Sequence, residues 1–542
     1  MPDEDGRFLP IIYVRGYAMT EQEQDETTAD PFCGFNLGST VFRATPDKTK
    51  PAKKFIFESP VLRLTSDYDY SDVYHNGLDI MDPDWERNIP APPTPAPSTP
   101  APPVPAQSLP ARSIIIYRYY EQASSLLGEG KTPPMEEFAK GLNQLVLRLR
   151  DLVCADPNNK VAPADFRCYL VAHSMGGLVC RAFLQNPALG DEAARRCIDK
   201  VFTYATPHNG IEMAGLNVPK WLTKDDIANF NRDRMAEYLN IDKNLYQQTE
   251  RADWLPEEMF RSRNFFCMVG TNREDYEAAK GISRTFAGHG SDGLVRIDNA
   301  SVWGVNAKGE FSAPCATAYA YRSHSGYFGI VNSEEAYQNL TRFLFGDLRV
   351  DVWVDVTDVQ LPAQIKGKAV DALYQFGLLA SPKGKRWFLS RRVAEEDSVA
   401  CRSHQELTDP ANPTRRSLYL SSIFLSTHAR LDPKDPSLNY GLTLSVRVPD
   451  YEVERKFWPD SHFEGAYLFR DTLIVSITAP QTEGAAWAAA SRWQSDNSAG
   501  PGEPLKPEPK DGHIELTIGF GDTAREPGIA GKLRFLVSSW ND

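Results

Sequence analysis

The sequence predicts an α/β domain followed by an all-β domain. Three observations carry that prediction. After a first strand at Ile11–Val14 and an irregular stretch at 20–110, short apolar strands alternate with helices from Ser113 on, which implies a mostly parallel sheet covered on both faces. Beyond Gly346 the pattern changes to alternating apolar and polar residues broken by turn-rich gaps, as in a β-sandwich. And 542 residues are too many for one compact core. The expected division is a catalytic-type domain at 1–346 and an accessory β domain at 347–542.

In order, Ile11–Val14 is a strand that runs into Arg15-Gly16-Tyr17. Lys53–Leu64 reads as one or two short strands, and Asp67–Tyr74, alternating acids with tyrosines, as a surface loop. Pro90–Pro110 is rich in Pro and Ala and is expected to be an extended, polyproline-like excursion within the first domain. Ser113–Tyr120 is a strand. Pro134–Val153 is an amphipathic helix, with Phe138, Leu142, Leu145, Leu149 and Leu152 at three- and four-residue steps. Phe166–Ala172, Lys200–Ala205 and Phe265–Gly270 are further strands, and Gly176–Gln185 a helix. Residues 211–260 show no strand signal but several short helical stretches rich in apolar residues. That insertion reads either as a lid over a site or as a fixed helical subdomain packed on the core.

The stretch that organises the first domain is Tyr169–Gly177, YLVAHSMGG. A buried strand ends abruptly and a helix starts at once, with Ser174 at the turn between Ala172 and Gly176. Small residues two places before and after a serine are what a strained strand-to-helix turn requires, because larger side chains would clash there. Such a turn lifts the hydroxyl clear of the backbone and aims a helix N-terminus at any negative charge that develops beside it.

An activated serine needs a base in hydrogen-bond reach and an acid that orients the base. On this type of sheet the chain order is serine, acid, histidine. Of nine histidines, His173 and His208 stand too close to the serine and His75 precedes it. His404, His428, His462 and His513 fall in the C-terminal region. His324, on a loop before the helical run Ser333–Leu344, is the favoured base. His289, in Ala287-Gly288-His289-Gly290, reads as a neighbour of the site, and His208 as a residue that shapes its pocket. Asp292, in the turn of Ser291–Val295 before an expected strand, is the favoured acid, with Asp298 and Asp275 as competitors. The backbone N–H groups of Tyr17 and Met175 are the expected oxyanion donors.

Composition excludes other functions. The formal charge of −13, from 59 basic and 72 acidic residues, argues against a nucleic-acid partner and offers no long-range attraction to an anionic membrane. The acidic start lacks a signal-peptide pattern, and no apolar run is long enough to span a bilayer. The eight cysteines have no metal-like spacing and read as free thiols of a cytoplasmic protein. No cofactor or metal is expected.

Four pieces, IIYVRGY at 11–17, VAHSMGG at 171–177, ATPHNG at 205–210, and SDGLV at 291–295 with His324, together resemble a lipase-type α/β-hydrolase. They span about residues 8–346. The set is similar to bacterial triacylglycerol lipases, to GPI inositol-deacylase-like hydrolases, and to signal-less lipase effectors delivered by type VI secretion. The last group suits a chain exported without a signal peptide. The resemblance implies Ser174 as nucleophile, Asp292 as acid, His324 as base, Tyr17 and Met175 at the oxyanion hole, a lipid or other ester as substrate, and transient contact with a membrane surface. Soluble esters, or a non-catalytic role on the same fold, are the alternatives. The sequence departs from the family at Arg15, where the family has histidine, and at Ala172, where it has glycine. Ser325-Gly326 stands where calcium-binding lipases carry an acid, so no calcium site is implied. The early first strand implies that two strands preceding it in larger members are lacking.

Overall fold

Cys168–His173, six residues all buried, lies inside a parallel sheet. In the computed structural model the described residues are 6–16, 39–43, 53–57, 59–74, 78–82, 85, 108–119, 133–213, 216–217, 229–273, 290–325, 328–430, 432–453, 461–480, 485–496 and 502–541. Chain contacts divide them into two units, 1–315 with 322–333, and 316–321 with 334–542.

Within the first unit the sheet runs, in spatial order, Phe265–Gly270, Ile198–Tyr204, Cys168–His173, Ile11–Val14, Ser113–Tyr117 and Ser71–Asp72. Each neighbouring pair is parallel. The first strand in sequence is thus central: Ile11 pairs with both Ile114 and Tyr169. Its four residues are buried, as an apolar run without alternation requires when helices cover both faces. Helix Met135–Ala155 packs against helix Met175–Gln185. Leu142, Leu145, Leu149 and Leu152 of the former join Leu178, Val179 and Phe183 of the latter in the core.

Several expectations need correction. Lys53–Phe57 is a strand, but residues 60–68 are a helix. Pro60 occupies its first turn, where proline costs no hydrogen bond, and Ser59 caps it by accepting from the Leu62 N–H. Ser71–Asp72, read as loop, adds a short edge strand. In the insertion Trp254–Pro256 forms a strand beside Trp303–Val305, though no alternation announced it. Asp292 precedes no strand; its loop is closed by a bridge between Ser291 and Arg296. Residues 90–107, the bulk of the proline-rich excursion, lie outside the described residues, as do 218–228 of the insertion.

The described part of the insertion, with helices Arg232–Tyr238 and Lys243–Thr249, sends Phe230, Met235, Tyr238 and Leu239 into the core. Arg181, wholly buried on helix Met175–Gln185, fastens it there. Its guanidinium donates to the carbonyls of His208 (2.9 Å), Ala252 (2.8 Å) and Trp254 (2.8 Å), and to Gln185 Oε1 (2.8 Å).

The second unit is built on a β-sandwich. One sheet runs Ser417–Leu425, Leu348–Gln360, Gly528–Ser539, His513–Asp522 and Glu508–Lys510. The other is built around Val370–Pro382, Leu438–Arg447 and Tyr467–Thr478. Alternate residues of both, such as Val352, Val354, Phe535, Leu378, Leu444 and Val475, form one core. Val370–Pro382 is a long strand that sequence patterning passed over. Strand 316–320 and helix 334–345, expected in the first domain, group with this unit. Ser421 Oγ donates to Thr317 O (2.8 Å), and Asn339 Nδ2 to Leu389 O (2.9 Å). Among the described residues no helix is long and apolar enough to cross a membrane.

Candidate active site

Ser174 stands between strand Cys168–His173 and helix Met175–Gln185, with φ 52° and ψ −126°. This is a strained conformation for a side-chain-bearing residue, costing about 1–3 kcal/mol. Close packing holds it. A Cβ at position 176 would come within 2.6 Å of Arg15 O, and one at position 177 within 2.7 Å of Thr206 Cγ2, so both glycines let the helix start against its neighbours. A Cβ at position 16 would run into Ser174 itself and lie 2.9 Å from His173 O. The first strand therefore ends directly against the turn. Met175, whose N–H opens the helix, is buried.

His324 Nε2 lies 2.9 Å from Ser174 Oγ, and His324 Nδ1 lies 2.9 Å from Asp292 Oδ2. All three side chains are buried. The second carboxylate oxygen, Asp292 Oδ1, accepts from the N–H groups of Leu294 (3.0 Å) and Val295 (2.7 Å). The turn after Asp292 thus fixes the carboxylate, which in turn selects the imidazole tautomer with a proton on Nδ1. The His324 backbone is held as well: its N–H donates to Asp292 O at 3.0 Å. Gly270 permits this crossing, since a Cβ there would be 2.7 Å from Arg322 O and 2.8 Å from Asp292 Cβ. Residues far apart in sequence, 174, 292 and 324, are thereby brought into one hydrogen-bonded chain.

His208 lies wholly buried in the core. Its Nε2 is 3.1 Å from Thr203 Oγ1, and its ring stands edge-on to Phe265. Burial, and then the Arg181 charge, push its pKa well below the ordinary histidine value. Its place is among the supports of the elbow helix, since its carbonyl receives Arg181. Tyr17, His289 and Asp275 lie outside the described residues. Asp298 sits in a short 3-10 turn, Ile297–Asn299, and its carbonyl accepts from Arg251 (2.9 Å).

Two residues escaped the sequence reading. Closeness to the serine in sequence excludes His173 as the base, yet its Nε2 lies 2.9 Å from His324 O. Arg181 gave one usable signal, a charge on the apolar side of an otherwise apolar helix.

Ser174 follows strand Cys168–His173, Asp292 comes after strand Phe265–Gly270, and His324 is last in the chain. The fold is that of an α/β-hydrolase with a C-terminal β-sandwich. No protein-family model and no curated protein matches the chain. Among solved structures it is similar to Bacillus licheniformis lipase BlEst2 in its propeptide form, at 11% identity and TM-score 0.30, covering 90% of this chain and 96% of that one. The mature form of the same lipase aligns at 13% identity and TM-score 0.29, over 63% of this chain and 96% of that one. The lin2722 product of Listeria innocua aligns at 12% and 0.25, over 62% and 94%.

Proposed function

We propose that the protein is a serine ester hydrolase acting on lipid esters. The observation that carries this reading is the buried chain Ser174–His324–Asp292 on a strained elbow. In it, His324 Nε2 takes the Ser174 proton as Oγ attacks the acyl carbonyl. Asp292 holds the imidazole and stabilises the imidazolium. The alcohol leaves with the proton from His324, and His324 then activates water to release the acid from the acyl-enzyme. The Met175 N–H, at the helix start, and that of Tyr17 receive the oxyanion.

One observation favours a second reading, hydrolysis of soluble esters. The preference for lipid draws on apolar residues in the insertion, and Phe230, Met235, Tyr238 and Leu239 are buried in the core rather than free to meet a lipid surface. Turnover of short-chain monomeric esters is to be compared with that of micellar triacylglycerol and bilayer phospholipid. A jump in rate on the aggregated substrates supports lipid; equal or higher rates on monomers support the second reading. Ser174→Ala is expected to abolish turnover of a p-nitrophenyl ester and labelling by a fluorophosphonate probe, and unchanged turnover by the pure folded variant would refute both.

A further inference from the structure

The inward register of the C-terminal sandwich can be followed strand by strand. On Tyr467–Thr478 the inward side chains Ile477, Val475 and Leu473 belong to the core, and the same alternation leads on to Asp471 and Phe469. On Ala488–Trp493 it leads from Ala489 through Ser491 to Trp493. On the facing sheet it leads from Leu516 to Phe520 and from Leu533 to Gly531. At this one end the aliphatic core gives way to rings and a carboxylate.

A cleft of about 390 Å³ opens there, and its lining includes Phe469, Asp471, Trp493, Ser495, Thr357 and Lys532. That volume is within the usual range for small-ligand sites, about 300–1,000 Å³. Phe469 meets Trp493 edge-on, with centroids 5.2 Å apart, and Phe520 at 5.3 Å. The Trp493 Nε1–H donates across the gap to Gly519 O (3.2 Å), which fixes the indole. Asp471 Oδ2 accepts from Ser495 Oγ at 2.6 Å. Phe469, Trp493 and Asp471 are half-buried, while Thr357 and Ser495 are exposed at the rim.

The lining selects among ligands. An inward carboxylate costs desolvation beside an acyl chain and repels an anion. A quaternary amine has no N–H or hydroxyl to exchange with Asp471 and Ser495. A neutral ring with apolar faces and a belt of hydroxyls suits these groups: its C–H face lies on the rings, and its hydroxyls exchange hydrogen bonds with Asp471, Ser495 and Thr357. We propose that this cleft is a binding site for a neutral sugar. The site is independent of Ser174 and of the ester-hydrolase reading.

The test is titration of the full-length protein with glucose, galactose, mannose, N-acetylglucosamine, cellobiose, maltose, lactose and chitobiose, followed by saturation-transfer NMR. At least one should bind saturably. Trp493→Ala and Asp471→Ala should each weaken that binding about tenfold or more, the size of a lost ring contact or charged hydrogen bond. Ser495→Ala, at an exposed position of the cleft, should weaken it severalfold and keeps the test meaningful if the half-buried positions do not tolerate alanine. Absence of saturable binding by the unaltered protein overturns the proposal. So does binding that Ser495→Ala and every folded variant leave unchanged, or binding of phosphocholine or decanoate, rather than any sugar, that these variants abolish.

Discussion

The Nε2 of His173 lies 2.9 Å from the carbonyl oxygen of His324, and the two rings stand 5.0 Å apart. Because a carbonyl only accepts, His173 carries its proton on Nε2 and donates. Burial, and then the neighbouring His324, hold its pKa well below the ordinary value, so the ring stays neutral. With the His324 N–H held by Asp292 O, both backbone groups of the proposed base are anchored. His173 is therefore a positioning residue. His173→Phe fills the space but removes the donor, and kcat is expected to fall about 10–100-fold with KM nearly unchanged, since small displacements of a reacting group carry costs of that order. Steady-state kinetics with fluorophosphonate labelling rates measure it. Wild-type kcat in the phenylalanine variant would exclude the role.

The elbow stores strain that glycine would release. Ser174 at φ 52° occupies a region that glycine enters freely. Ser174→Gly is expected to abolish turnover yet stabilise the fold by about 1 kcal/mol relative to Ser174→Ala, which keeps the strained backbone. Gly16→Ala should instead destabilise the turn. Its new Cβ would meet Ser174 and His173 O, so labelling by fluorophosphonate should fall at least about a hundredfold while Ser174 remains present. Thermal midpoints and labelling of the three variants separate strain from chemistry.

Arg181 tests whether the insertion is a fixed part of the core. Burial lowers its pKa to about 10, against the opposing pull of Asp253, so it is charged at neutral pH. Arg181→Met removes the donors to the carbonyls of His208, Ala252 and Trp254. The expected cost is on the order of 3–5 kcal/mol, because buried acceptors are left unmet. Denaturant unfolding of the full chain should show that loss, together with faster proteolysis within 229–260. A change under about 0.5 kcal/mol would mean that the guanidinium bonds contribute nothing net.

Most of the site was legible in the sequence because its geometry demands particular residue types at short range. Gly176 is required by the approach of Arg15 O, and the strand-turn-helix pattern around Ser174 follows from apolar periodicity. Asp292 and His324 followed from chain order. His173 was not legible, because its role depends on a contact 151 residues away along the chain. Nor was the helix Pro60–Tyr68, whose apolar residues mimic a strand until Ser59 and Pro60 are read as a cap and first turn. Strand Trp254–Pro256 is short and carries proline, so only its partner Trp303–Val305 reveals it.

Lys200 gives the first unit a pH signature. It is buried on strand Ile198–Tyr204, with Nζ 3.6 Å from Asp199 Oδ2 and 5.2 Å from the Tyr169 ring centroid. Desolvation outweighs the Asp199 charge and lowers its pKa to about 8. In the unfolded chain the lysine titrates near its ordinary value of about 10.4. Between these two values the unfolded state binds more protons than the folded one, so stability rises with pH across about 8 to 10.4. Below about 8 the full penalty, on the order of 3 kcal/mol, is present. Lys200→Met, which keeps the volume and removes the charge, should therefore be more stable than the unaltered protein at pH 7 and lose that advantage by about pH 10. Urea midpoints of both proteins at several pH values measure the difference, and taking the difference cancels the titration of other groups. A gap that stays constant from pH 7 to 10 would show that Lys200 keeps an ordinary pKa in the folded protein.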